Sequence, residues 1–164
     1  MNDIVERFQA LRQTDAALWL YALVDGFQYE QHTGRRLDHQ RGINRPIFLG
    51  TEDEPLAHAG PWLIDVVKAP DLLQSLQELE QALPSVSWLI SPIDLEGLSQ
   101  LLQLKLDARL PDGRKVLLRF YDPRVLGNLM QTMNNEQRAE FVHLIDEWHF
   151  IHDGRRACIG GARA

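Results

Sequence analysis

The chain has 164 residues, which suits one domain with a buried core and leaves little room for two. Hydrophobic residues make up 45% and charged residues 24%, a balance that argues against a long disordered chain. The net charge of -6 at pH 7 argues against a nucleic-acid binder, because such proteins usually carry a basic face.

The sequence also predicts where the protein resides. The N-terminus has no basic patch followed by an apolar core, and no apolar run approaches the roughly 20 residues that cross a bilayer. Cys158 is the single cysteine, so no internal disulfide can form, which fits a reducing compartment. We therefore expect a cytoplasmic protein that is neither exported nor bound to a membrane.

The first third of the chain predicts one helix followed by strands. Apolar residues at helical spacing predict a short N-terminal helix, and these are Ile4, Val5, Phe8 and Leu11. The run 16–24 is apolar on both faces, as in a strand at the centre of a sheet. Residues 27–45 are polar and predict a long surface loop. Short strands are predicted at 46–50 and 62–67.

The middle of the chain predicts two helices around a strand. Pro70 suits the first turn of a leucine-rich helix, and Pro84 stops it. Residues 88–90 are a strand candidate. Ser91 is a good N-cap for the next helix, with Pro92 at its first position.

A β-hairpin is predicted next, because apolar and polar residues alternate over 102–110 and again over 116–121. The turn at 111–113 fits a three-residue loop with Gly113 in the left-handed conformation. The register that places apolar side chains on one face pairs Ala108 with Val116, Leu106 with Leu118, and Leu104 with Phe120.

Two more helices are predicted before the end of the chain. Asp122 caps the first, with Pro123 at its first position. Asn134 and Gln137 resemble a capping pair for the second. The apolar stripe of this last helix is Phe141, Leu144, Ile145 and Trp148. The fold prediction is a single compact α/β domain over 1–152, with a mixed β-sheet, a hairpin and flanking helices, followed by a flexible tail over 153–164.

Few side chains suggest catalysis or metal binding. His149 and His152 are three residues apart beside Asp153, but a zinc site needs three or four converging ligands, so a solvated helix end is favoured. Cys158 lies in the predicted tail with no histidine within two residues. We expect no metal and no cofactor.

The segment 119–124 is the remaining candidate for chemistry. A hydrolase would use Asp122 as a base and Arg119 as an anion clamp, together with Asp25. Alternatively, Asp122 caps a helix, which contributes about 1 kcal/mol. The structural interpretation is favoured. Trp62 and Trp148 are core residues by type, but an exposed tryptophan would mark a protein-binding patch.

Several ordered motifs resemble the type VI secretion effector-chaperone family, also called the Tap or adaptor-chaperone family. The similarity covers about residues 18–150. The motifs are Leu23-Val24-Asp25-Gly26, Phe48-Leu49-Gly50-Thr51, Gly60-Pro61-Trp62-Leu63, Leu110-Pro111-Asp112-Gly113-Arg114, Leu118 to Leu126, and Gln137-Arg138 with Phe141 and Trp148. The run Arg119-Phe120-Tyr121-Asp122-Pro123-Arg124 is the most distinctive.

The resemblance implies a binding protein and no catalytic activity. Members of this family bind a cognate toxin effector in the producing cell and help to load it on a VgrG-type spike. The expected partners are therefore an effector and the spike protein. Many members carry a second, C-terminal lobe that helps to hold the effector, whereas this sequence ends shortly after Trp148. We therefore expect it to bind the effector through one face, an exposed strand edge or a helix groove, and not between two lobes.

The residues of the resemblance fall into two groups. The candidate partner contacts are Trp62, Arg119, Tyr121, Arg124 and Trp148. The expected fold determinants are Asp25, Gly50, Pro61, Gly113, Asp122 and Pro123. Two alternatives stay open: an immunity protein that neutralises a toxin, and a small hydrolase that uses Asp25, Arg119 and Asp122.

Overall fold

The computed structural model describes residues 3–160. Its helices are α1 (Asp3–Arg12), α2 (Gly26–Thr33), α3 (Leu73–Ala82), α4 (Leu95–Lys105), α5 (Pro123–Thr132) and α6 (Asn135–Phe141), with short 3₁₀ turns at Glu54–Ala59 and Pro70–Leu72. Its strands are β1 (Trp19–Asp25), β2 (Asn44–Pro46), β3 (Pro61–Asp65), β4 (Val86–Ser91), β5 (Asp107–Arg109), β6 (Lys115–Leu117), β7 (Glu147–His152) and β8 (Arg155–Gly160).

Six strands form one sheet in the order β2-β3-β1-β4-β7-β8, and β5 and β6 form a separate hairpin. Each strand pairing in the described part of the chain is antiparallel. The five central residues of β1 are buried, and the strand is bonded to β3 on one edge and to β4 on the other. The prediction of a central strand here is confirmed.

The sheet separates two hydrophobic cores because successive side chains of a strand point to opposite faces. One core joins α4, α5 and α6 to the sheet and includes Leu23, Leu89 and Trp148. The other joins α1, α2 and α3 to the opposite face and includes Leu20 and Trp88. Burial of apolar surface on both faces stabilises a three-layer arrangement. The predicted class, an α/β domain with a sheet, a hairpin and flanking helices in one compact domain, is confirmed. The sheet was predicted to be mixed, whereas its described pairings are all antiparallel.

The segment 27–45 is not one long loop, which corrects the prediction. The Oδ1 of Asp25 accepts hydrogen bonds from the backbone N–H of Phe27 at 3.0 Å and of Gln28 at 3.3 Å, and so caps α2. Gly34 ends the helix with a left-handed φ of 72°. The strand predicted at 46–50 is also displaced, since β2 covers 44–46 and the chain turns after it.

The strand predicted over 102–110 is largely wrong. Helix α4 continues to Lys105 and its N-cap is Asp94, not Ser91. Leu102 is buried on the inner face of α4, whereas Leu104 is 75% exposed on the outer face. The pairing of Leu104 with Phe120 therefore does not form.

The tip of the hairpin agrees with its prediction. Ala108 pairs with Val116, and Gly113 has a φ of 89° in the turn. The N–H of Leu118 donates to the carbonyl of Leu106 at 2.6 Å, so these two residues also meet as predicted. The paired strands are nevertheless only three residues long.

The C-terminal third departs most from the prediction. Asp122 caps α5 and Pro123 begins it, and the Asn134–Gln137 capping box starts α6, all as predicted. However, α6 ends at Phe141, and Trp148 lies in β7.

The predicted tail is also wrong over 155–160, because these residues form β8 against β7. Residues 161–164 of that prediction lie outside the described residues. Asp153 and Gly154 make the connecting turn with φ values of 51° and 75°, as a two-residue hairpin turn requires.

Candidate functional site

The motif residues of three segments meet where β1 ends and β3 begins. The N–H of Gly26 donates to the carbonyl of Gly60 at 2.8 Å. A Cβ at Gly26 would lie 2.3 Å from the carbonyl oxygen of His58, so no side chain fits at this position. The indole N–H of Trp62 donates to the same carbonyl at 3.1 Å. The Asp-Gly and Gly-Pro-Trp motifs therefore hold each other in place.

The Phe48-Leu49-Gly50-Thr51 motif joins this cluster through the Phe48 ring and through backbone contacts of its loop. A Cβ at Gly60 would lie 2.6 Å from the ring of Phe48, and the N–H of Ile47 donates to the carbonyl of Pro61 at 2.8 Å. Gln103 of α4 donates its amide to the carbonyls of Ile47 and Leu49, both at 2.9 Å. The sequence offered no signal for Gln103, because its role depends on where α4 crosses this loop.

Both aspartates of the distinctive motifs serve as helix caps. Asp122 accepts the backbone N–H of Arg124 at 2.9 Å. The guanidinium of Arg124 also donates to both carboxylate oxygens of Asp122, at 3.1 Å and 2.8 Å. Asp25 caps α2 in the same manner. These contacts agree with the predicted structural role of the two residues.

Asp25, Arg119, Tyr121 and Asp122 lie within electrostatic range of one another. Burial raises the pKa of Asp25, and Asp122 adds to this, whereas the cap hydrogen bonds and Arg119 act in the opposite direction. Burial likewise raises the pKa of the Tyr121 hydroxyl. The three residues of the hydrolase hypothesis are therefore neighbours, but each aspartate directs an oxygen to backbone donors at a helix start.

Three of the five predicted partner contacts are buried, which corrects that prediction for them. Trp62, Tyr121 and Trp148 have almost no exposed surface. The ring of Trp148 stacks on Phe141 with centroids 5.8 Å apart, so it belongs to the core.

Arg119 and Arg124 are exposed. Arg119 makes no ion pair within the described residues, whereas Arg124 is paired with Asp122. Partner contact by these two residues stays a prediction.

A groove lies between the loop that follows β2 and the β5–β6 hairpin, and we call it the hairpin groove. Its volume is about 310 Å³ and its lining includes Leu104, Leu117, Glu52, Asp53 and Asp107. The two leucines are exposed, and the single cation in the lining, Lys115, is 3.5 Å from Asp107. Exposed apolar side chains beside carboxylates would suit a partner segment that is apolar and basic.

A second groove lies between α1 and the end of β3. Its volume is about 430 Å³, and its lining is mainly apolar, with Phe8, Leu20 and Val67 among the residues. This groove is on the opposite face of the sheet from α4.

The β7–β8 hairpin brings together three side chains that can bind a metal. His149 Nε2 lies 2.8 Å from Glu147 Oε1, and Cys158 Sγ lies 3.6 Å from His149 Nε2. The guanidinium of Arg7 donates to both oxygens of Glu147, and this hydrogen bond lowers the pKa of the carboxyl. This pairing was not predicted from the sequence. The signal that could have found it is Asp153-Gly154, because a two-residue turn there places His149 opposite Cys158.

The fold and the site define a class of protein, a three-layer α/β domain. Its sequence motifs hold loops in place and cap the starts of helices. The family model described as "Domain of unknown function (DUF4123)" matches residues 20–140. The chain belongs to this DUF4123 family. No curated protein and no solved structure matches it significantly. Among the described residues, none of the helices combines the length and apolar character that crossing a bilayer requires.

Proposed function

We propose that this protein is a cytoplasmic chaperone or adaptor of type VI secretion that catalyses no reaction. It binds a cognate toxin effector in the producing cell and assists the loading of that effector onto a VgrG-type spike. The observation that carries the proposal is the family match over 20–140, which includes the Asp-Gly, Gly-Pro-Trp and Arg-Phe-Tyr-Asp-Pro-Arg motifs. Those motifs are also the basis of the resemblance to effector chaperones.

The use of the motif carboxylates supports a binding role. Asp25 and Asp122 each accept backbone N–H groups at a helix start, and Asp122 also pairs with Arg124. Their presence in the motifs is therefore explained by folding, without a reaction.

The hairpin groove supports the proposal as a contact surface. Leu104 is 75% exposed, and the carboxylates of Glu52, Asp53 and Asp107 line the same groove. Asp53 in the groove and Arg119 both act on the Tyr121 hydroxyl, so the groove adjoins the distinctive motif. We propose that an effector segment contacts this side of the molecule, including Arg119.

The proposal is tested in the native strain by deleting the gene and following the secretion of each effector. We expect one effector to be lost from the culture supernatant while the others are secreted normally, and the lost effector to copurify with the tagged chaperone. Normal secretion of every effector would contradict the proposal. Death of deletion cells in contact with their sisters would instead indicate an immunity protein.

Point variants then locate the contact and test for catalysis. Leu104→Glu should weaken capture of the effector at least tenfold, whereas Val67→Glu is the matched control, because Val67 is 52% exposed in the other groove. Asp122→Asn should complement the deletion, since asparagine also caps helices. A stably folded Asp122→Asn protein that fails to complement would favour the hydrolase hypothesis.

A further inference from the structure

We propose that Glu147, His149 and Cys158 form a Zn²⁺ site on the α1 face of the sheet. Glu147 and His149 are two residues apart on β7 and so share a face, and His149 is the cross-strand partner of Cys158. Glu147 is opposite Gly160, which has no side chain to cover the carboxylate. The three donor atoms all lie within 4.8 Å of one another. This metal site rests only on the geometry of β7 and β8 and does not depend on the proposed function.

The separation of His149 and Cys158 suits tetrahedral zinc. With Zn–N of about 2.0–2.1 Å and Zn–S of about 2.3 Å, two ligands at the tetrahedral angle are about 3.6 Å apart. The distance from Cys158 Sγ to His149 Nε2 is 3.6 Å. The distance from His149 Nε2 to Glu147 Oε1 is 2.8 Å, as in a hydrogen bond. A carboxylate and an imidazole on one zinc ion are about 3.3 Å apart, so Glu147 needs to move by about 0.5 Å.

The type of donors selects the metal. A thiolate, an imidazole and a carboxylate together suit zinc, whereas Mg²⁺ and Ca²⁺ prefer oxygen ligands only. Three protein ligands leave a fourth position open for water or for a ligand from a partner. That position faces solvent, because Cys158 is exposed and Glu147 is buried beneath it.

Arg7 of α1 is hydrogen-bonded to the Glu147 carboxylate and orients this metal ligand without binding the metal itself. Its Nη2 donates to Glu147 Oε2 at 2.6 Å, and its Nε donates to Oε1 at 3.0 Å and to Oε2 at 3.1 Å. Oε1 also lies 2.8 Å from His149 Nε2. If Nε keeps only its bond to Oε2, Oε1 is released for the metal while Arg7 still orients the carboxylate, as hydrogen-bonded partners of ligands do in many metal sites. The Arg7 side chain is 50% exposed, so it has room to follow the movement of Glu147.

The test is a titration of the full, reduced chain with Co²⁺ as a spectroscopic probe and with Zn²⁺ in a calorimeter. We expect one ion per chain, with the strong visible bands of tetrahedral cobalt and a near-ultraviolet thiolate-to-cobalt band. Cys158→Ser should abolish the thiolate band, and His149→Ala should raise the Zn²⁺ dissociation constant at least tenfold. His39→Ala is the matched control, since His39 is an exposed histidine in the loop between α2 and β2.

The two ligand variants should fold, because Cys158 is exposed and neither variant changes the pairing of β7 with β8. Far-ultraviolet circular dichroism and a urea midpoint without metal verify this before titration. The proposal is overturned if the unmodified chain binds no ion, or if binding persists unchanged in Cys158→Ser or His149→Ala. A decrease in affinity in His39→Ala of the same size would also overturn it.

Discussion

At the scale of single residues, the carboxylate of Asp25 gains hydrogen bonds as a helix cap but loses hydration through burial. Its carboxylate caps α2 through two backbone N–H groups, but it is partly buried near Asp122. Burial is the larger influence and raises the pKa of Asp25 above its ordinary value of 3.8. Burial disfavours the charged carboxylate of Asp25, and the hydrogen bonds that cap α2 offset part of this cost.

This balance predicts how stability depends on pH. Because the folded-state pKa of Asp25 is raised, the folded protein holds this proton more tightly than the unfolded chain does. The contribution of Asp25 to stability is therefore greatest below about pH 3.8 and decreases as the pH rises through the folded-state pKa. Asp25→Asn keeps a capping oxygen and has no charge to bury.

We expect the stability of Asp25→Asn relative to the unmodified protein to increase as the pH rises through this window and then to level off. Urea unfolding of both proteins at several pH values measures the difference, and other titrating groups cancel in the comparison. A difference that is constant with pH, or that decreases as the pH rises, would contradict this assignment.

At the scale of secondary structure elements, β8 is fastened to the rest of the protein by an ion pair as well as by the sheet. Arg156 donates to both oxygens of Glu80 on α3, at 2.6 Å and 2.9 Å. The side chain of Glu80 is 4% exposed and also accepts the indole N–H of Trp88 at 2.9 Å. This pair links the outermost strand to a helix that packs on the centre of the sheet.

We expect Arg156→Ala to lower the free energy of unfolding by about 1–3 kcal/mol, because it leaves a buried carboxylate with one donor in place of three. Arg155→Ala is the matched control, since Arg155 is an exposed neighbour on β8 without an ion pair among the described residues. Equal effects of the two substitutions in urea unfolding would rule out the ion pair as the cause. Adding Glu80→Gln to Arg156→Ala should recover part of the loss, because it removes the unpaired charge.

Local signals in the sequence located most helix starts but not every strand. Asp122 with Pro123, and Asn134 with Gln137, identify two helix starts because capping depends on neighbouring residues alone. The segment 102–110 was ambiguous. Its alternation fits a strand, while Leu98, Leu102 and Leu106 also recur every four residues, and packing against the sheet favours the helix.

The metal-binding trio illustrates what local patterns leave undetermined. Glu147 and His149 were assigned to a helix, and Cys158 to a tail, so they were not predicted to meet. Their contact depends on β7 pairing with β8, and that pairing depends on the Asp153-Gly154 turn. Long-range pairing, rather than residue type, creates the site.

At the scale of the whole molecule, the two hydrophobic cores pack against opposite faces of the same strand, β1. Strand β1 is buried on both faces and is bonded to a strand on each edge. Leu20 contributes to the core beneath α1 and α3, and Leu23 contributes to the core beneath α4, α5 and α6. Loss of either core would expose to water the face of this buried strand that the core covers.

We therefore expect the described domain to unfold as one cooperative unit. Leu20→Ala and Leu23→Ala, matched substitutions on opposite faces of β1, should each lower the free energy of unfolding by about 2–5 kcal/mol. Both should shift the urea midpoint without changing the slope of the transition. Tryptophan fluorescence monitors both cores, since Trp88 lies in one and Trp148 in the other, and circular dichroism monitors the backbone. Coincident transitions would support a single unit, whereas two separate transitions in either variant would show that the cores unfold independently, and that the sheet does not couple them.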